Sequence, residues 1–160
     1  MKKYIGTKII KAEAMTRGEY NTFRGWKIPQ DENPADEGFI VEYSDGYISW
    51  SPKKQFEEAY RECDNMTFGL AIEALKKGLK VARKGWNGKG MYLWLLPENK
   101  IKKEWCRDER LIECFGTEDE LLCLGSIRMY THDSTGRTAV LTGWLASQSD
   151  MLSEDWYIVE

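Results

Sequence analysis

One histidine and no Cys-x-x-Cys pair among Cys63, Cys106, Cys114 and Cys123 leave this chain without a recognisable metal-binding pattern. Structural zinc sites are typically built from two closely spaced pairs of Cys or His ligands, and without such pairs neither a metal nor a cofactor is expected. The four thiols then read as buried free cysteines in a reducing compartment. No apolar run approaches the length that crosses a bilayer, and the longest is the short Met91–Pro97 segment. Lys2 and Lys3 are not followed by the apolar stretch of a secretory signal, which points to the cytoplasm. A basic stripe is also missing: 23 Lys and Arg stand against 26 Asp and Glu, for a net charge of -3. Wrapping a nucleic-acid backbone requires clustered cations, so that role is not expected. A small anion needs only a few placed ones.

What the chain has in quantity is large flat side chains, with seven Trp and eight Tyr in 160 residues. These serve cores and binding surfaces equally well. Their arrangement suggests two units, an N-terminal module over 1–63 and a second domain over 66–160. In the first, Tyr4–Ala12 reads as a strand and Met15–Gly38 as a polar loop. Phe39, Val41 and Tyr43 alternate, Asp45-Gly46 supplies a turn, and Ile48 and Trp50 return, which is a hairpin pattern. Ser51-Pro52 reads as a helix start, with Phe56, Ala59, Tyr60 and Cys63 on one face. In the second unit Thr67 caps a helix whose stripe is Phe68, Ala71, Ile72 and Leu75, and Gly78 stops it. Strands are expected over Leu79–Arg83, Met91–Leu96, Ile127–Thr131, Thr138–Leu145 and Trp156–Val159, with an irregular helix over Lys100–Leu122. Met91–Leu96 is apolar on both faces, so a subunit interface is a natural cover for one of them. The class is α+β, a mostly antiparallel sheet with few helices.

Two segments carry candidate binding chemistry. Gly85-Trp86-Asn87-Gly88-Lys89-Gly90 lets backbone N–H groups approach an anion, yet it fits neither a Walker loop nor a dinucleotide fingerprint. Taken alone it also reads as a turn between strands. Trp144–Met151 offers an indole to stack on a base and Ser147, Gln148 and Asp150 to bind hydroxyls or base edges. It reads equally as a strand end followed by a capped helix. Arg83, Lys84, Lys89, Arg128 and Arg137 can neutralise phosphate or be solvated surface charges. His132-Asp133-Ser134 is consecutive, so the three cannot form a catalytic relay with one another. The scattered carboxylates single out no acid–base pair. No catalytic residue is assigned.

Phe68–Gly78, followed by Val81–Tyr92, resembles the opening of a widespread phage and prophage domain. Gly143–Leu152 with Glu154-Asp155-Trp156 resembles its closing signature. The domain is similar to the second class of phage Thoeris anti-defence sponges. That resemblance implies a protein without enzymatic activity that works in the cytoplasm of the infected host. It would bind and sequester a cyclic ADP-ribose-type messenger made by a TIR-domain enzyme, without cleaving it. It further implies a homotetramer and, in some members, binding of the cyclic dinucleotides of CBASS defence. Carried onto this chain, the implied ligand-binding set is Arg83, Trp86, Asn87, Arg128, Met129, Trp144, Ser147, Gln148 and Asp150. Residues 1–63 are absent from minimal members, and Asn99–Gly125 matches poorly. Two other classes stand beside the sponge: a nucleotide-degrading enzyme and a protein-binding phage adaptor.

Overall fold

The computed structural model describes residues 1–160, which divide into two compact units, Met1–Glu62 and Cys63–Glu160.

The first unit is a three-stranded antiparallel sheet, β1 (Lys11–Ala14), β2 (Gly38–Glu42) and β3 (Ile48–Pro52), in that spatial order. The Asp45-Gly46 hairpin forms as its turn chemistry requires, with Gly46 at φ 82°. The strand expected over Tyr4–Ala12 begins only at Lys11. Lys11 pairs with Glu42, the last residue of β2, so residues upstream have no partner strand. The polar loop expected over Met15–Gly38 holds a helix, α1 (Arg17–Phe23). Its signal is a reciprocal capping box: Thr16 accepts from the Glu19 N–H while the Glu19 carboxylate accepts from the Thr16 N–H. Glu32 accepts hydrogen bonds from Arg17 and Asn21, which hold its carboxyl down at about 2 and tie the following loop to the helix. Ser51 does not cap a helix, because β3 continues through Pro52 in register with β2. Helix α2 (Lys53–Ala59) follows without a side-chain cap and ends before Cys63, and its Phe56 ring stacks on Phe39 at 4.1 Å.

The second unit is built on a five-stranded antiparallel sheet. Its strands are β4 (Lys80–Arg83), β5 (Tyr92–Leu96), β8 (Ser126–His132), β9 (Thr138–Thr142) and β10 (Trp156–Val159), in the order β10-β4-β5-β8-β9. Helix α3 (Phe68–Lys76) lies on one face. Thr67 caps it by accepting from Leu70 N–H, and Gly78, at φ 82°, lets the chain turn into β4. Ala71, Ala74 and Leu75 of α3 meet Met66, Val81, Leu93, Met129 and Trp156 in the core. Burial of this set is the main stabilising term of the unit.

Lys100–Leu122 is not a long helix. It forms a separate arm in which β6 (Asn99–Lys102) pairs with β7 (Glu120–Cys123), enclosing a 3-10 turn and the short helix α4 (Glu109–Glu113). Ile101 faces Leu121 across the pair, Asp108 caps α4, and Phe115 is the arm's buried residue. A helical reading had no place for these local strand and cap signals. None of the four free cysteines is buried: Cys63 and Cys114 are exposed, Cys106 and Cys123 half-buried. Two of the three arm thiols are in fact occupied as weak donors to backbone carbonyls, Cys106 to Lys102 and Cys114 to Arg110. No helix is long and apolar enough to cross a membrane.

Candidate ligand-binding site

Arg83 and Trp86 lie 67 and 64 residues before Asp150, yet that one carboxylate joins the segment after β4 to the segment after β9. Asp150 lies in α5 (Gln148–Leu152), a one-turn helix capped by Ser147. One of its oxygens accepts from Arg83 Nη1 at 2.7 Å and from the Trp86 indole N–H at 3.0 Å. The other accepts from Ser147 N–H at 2.9 Å and Ser147 Oγ at 2.6 Å. Asp155 completes the cluster, accepting from Arg83 Nε at 2.8 Å and from the Gly85 N–H at 2.8 Å. Gly85 is required there, because a Cβ would sit 2.7 Å from Asp155 Oδ2.

Burial pushes the Asp150 carboxyl upward, but the hydrogen bonds from Ser147, Trp86 and Arg83 outweigh it and hold the group below the usual carboxylate range. Arg83 does the same for Asp155, and the hydrogen bond from Arg83 to Asp155 in turn raises the guanidinium. Arg83 is thus a neutralised cation with two carboxylates.

The rings behave likewise. Trp86, Trp144 and Trp156 meet edge to face, with centroids 6.1 Å apart for Trp86–Trp144 and 5.4 Å for Trp86–Trp156. Phe68 joins them from α3. Trp156 is fully buried, and its indole N–H donates to the Asp150 carbonyl at 2.9 Å. Trp86 and Trp144 are only half-buried against this core, so each keeps an exposed edge.

Of the sequence-derived set, Arg83, Trp86, Trp144, Ser147 and Asp150 come together here. Asn87 and Gln148 are exposed at the rim, on the glycine-rich loop and at the start of α5. Met129 is a core residue beneath α3. Arg128 does not join them. Side chains alternate along a strand, and the register puts Val81, Leu93, Met129 and Trp156 under α3 but Arg128 opposite Trp94 and Thr142 on the other face.

That other face is aromatic and lacks any carboxylate. Tyr92 and Tyr130 stack at 4.9 Å with 7° between their planes, Trp94 lies beside Tyr92, and Lys80 Nζ is 5.3 Å from the Tyr92 ring centre. Arg128 Nε is buried with no hydrogen-bond partner. The sequence reading missed Asp155 and Trp156 as parts of the cluster. Both lie in the closing signature, and Asp155 could have been found as the acidic neighbour of a buried strand facing Arg83.

Residues 66–159 match the Thoeris anti-defense 2-like domain. The chain belongs to this family. It is 34% identical over 94 residues to Thoeris anti-defense 2 of Bacillus phage SP01, a match covering 59% of this chain and 94% of that protein. The matched stretch spans nearly the whole of that relative, and Met1–Asn65 lies outside the family match.

Proposed function

We propose that the protein is a phage anti-defence protein that acts against Thoeris by sequestering a nucleotide messenger in the infected cell. The messenger is of the cyclic ADP-ribose type, made by a TIR-domain enzyme, and it is held without being cleaved. Family membership over 66–159 carries this reading. The joining of its two signature segments through Asp150 supports it, because that contact fixes both borders of one surface.

The cluster divides the work. Arg83, Asp150 and Asp155 satisfy one another and position the loop; they do not meet the ligand. The exposed edges of Trp86 and Trp144, with Asn87 and Gln148 at the rim, present stacking area and hydrogen-bonding groups to a base and its ribose. Phosphate falls to Lys89 and the N–H groups of Gly88 and Gly90, since the Gly85 N–H is already held by Asp155. On the opposite face, Arg128 is the uncommitted cation, and it contributes to binding where copies assemble around the ligand. Assembly into a homo-oligomer, as the family resemblance implies, encloses the messenger and supplies the burial that nanomolar affinity of roughly -12 kcal/mol requires.

A thermal-shift panel of cyclic ADP-ribose isomers and cyclic dinucleotides tests this, since a ligand that binds only the folded state raises its melting point by mass action. A rise with a cyclic ADP-ribose isomer is the expected result. A rise with cyclic dinucleotides alone would move the assignment to CBASS signals. No rise with any of them, together with a stoichiometric host protein in a pull-down, would make the chain an adaptor instead.

A further inference from the structure

The family match begins at Met66, but the compact second unit begins earlier, at Cys63. The junction Cys63–Asn65 therefore lies outside the matched domain and is yet built into its fold. Its backbone runs along the outer edge of β10. Met66 N–H donates to the Trp156 carbonyl at 2.8 Å, Trp156 N–H returns to Met66 at 3.2 Å, and Ile158 N–H donates to the Cys63 carbonyl at 3.0 Å. Met66 and Trp156 are both buried, so this end of the junction is fixed. From that fixed backbone two side chains reach the stalk of the glycine-rich loop. Lys84 Nζ donates to Asn65 Oδ1 at 3.0 Å and to Asp64 Oδ2 at 3.4 Å. Asn65 Nδ2 donates in turn to Asp64 Oδ1 at 3.1 Å, so both ends of the amide are used and the pair is held as a unit.

From these contacts we propose that Asp64 and Asn65 are positioning residues of the messenger surface, acting through Lys84, a role that rests on the nucleotide-sequestration reading. Lys84 lies between Arg83 and Gly85, both of which the Asp155 carboxylate holds, and its own N–H donates to the Asp155 carbonyl at 3.1 Å. Asp155 anchors the stalk on one side, and Asp64 with Asn65 anchors it on the other. The loop they brace carries Trp86, Asn87 and Lys89 to the ligand. The same clamp decides which loop cation meets phosphate. An ammonium has three N–H donors, and Lys84 directs two of them to the junction, leaving the exposed Lys89 for the anion. Magnitudes separate positioning from support of the fold. The Lys84 and Asp64 side chains are 48% and 63% exposed, and exposed ion pairs contribute little to global stability. Loss of the clamp leaves the fold intact but frees the stalk, so the cost of ordering the loop moves from folding to binding.

The test uses the full chain carrying Asp64→Ala and Asn65→Ala together. Its melting temperature should stay within about 3 °C of wild type. Without nucleotide, the Lys84, Gly85 and Trp86 amides should exchange several-fold faster than in wild type. Calorimetry with the cyclic ADP-ribose isomer that wild type binds best should show affinity about three- to tenfold weaker. Lys84→Met should give the same loss, and the triple variant no further one, because all three substitutions break a single clamp. Unchanged exchange at these amides, or unchanged affinity in the double variant, overturns the inference. So does a loss confined to Lys84→Met, which would put that ammonium on the ligand itself. A wild-type protein that binds no nucleotide refutes the underlying reading instead, and the exchange rates then still decide whether the junction positions the loop.

Discussion

The two faces of the second unit's sheet each carry an arginine, and the two are handled in opposite ways. Arg83, under α3, is bound by two carboxylates and lies behind an indole. Arg128, on the opposite face among Trp94, Tyr92 and Tyr130, has a buried Nε with no partner and no carboxylate on its face. The same residue type is a structural pin in one place and an unspent charge in the other. A buried cation that is fully paired is costly to disturb and offers little to a ligand. One that is unpaired gains from any anion that reaches it. Charge placement in this unit is therefore to be read by partner, not by residue type.

The largest effect expected from breaking that contrast is on the pinned side. Asp150→Ala leaves Arg83 half-unpaired, strands the Trp86 N–H and removes the α5 capping box. It should cost about 3–5 kcal/mol, seen as a lower urea midpoint with an unchanged slope. Next comes the free side. Arg128→Met should leave stability within about 0.5 kcal/mol or raise it. Affinity for the tightest cyclic ADP-ribose isomer, measured by calorimetry, should fall by about 1.5–3 kcal/mol for a lost charge-assisted contact. Equal loss of stability in both variants would erase the distinction.

Gly85→Ala should cost about 1–2 kcal/mol by forcing the Asp155 carboxylate off the loop. The smallest effect is on acid stability. The Asp150 and Asp155 carboxyls lie below their unfolded values, so their contribution is complete above about pH 4 and is lost as pH falls through the lower folded values. Asp155→Asn should flatten the fall in melting temperature between pH 5 and pH 2 relative to wild type.

Much of the second unit was readable because its signals are local. Thr67 before an apolar stripe, Gly78 after it, and the short, continuous apolar run through Tyr92–Leu96 each name their element without outside help. The closing strand at Trp156–Val159 was equally plain. Where the reading failed, pairing partners decided the outcome. Tyr4–Ile10 has strand composition, but β2 ends at Glu42, so only Lys11 onward finds a partner. The arm's two strands are short, and helix-forming residues between them hid the Ile101–Leu121 pairing. Thr16 and Glu19 are different, since the capping box was in the sequence and simply lay inside a stretch judged by its prolines and acids.

The site was legible in part for a related reason. The motifs identified Trp86, Trp144 and Asp150 as belonging together, and they do meet. Sequence could not tell that Asp150 and Arg83 face inward on each other, because that depends on Asp155 and on which face of the sheet each side chain takes. By the same token, strand parity alone separates Arg128 from Met129, one on the aromatic face and one in the core.

The central claim is capture without chemistry, and mass balance tests it most directly. A cyclic ADP-ribose isomer that shifts the melting point is mixed with a small excess of the full chain, filtered to remove protein, and quantified by mass spectrometry before and after heat denaturation. The account predicts that the nucleotide vanishes from the filtrate in proportion to protein and returns intact on heating. Recovery of an opened or hydrolysed product, or turnover beyond the amount of protein present, would contradict it.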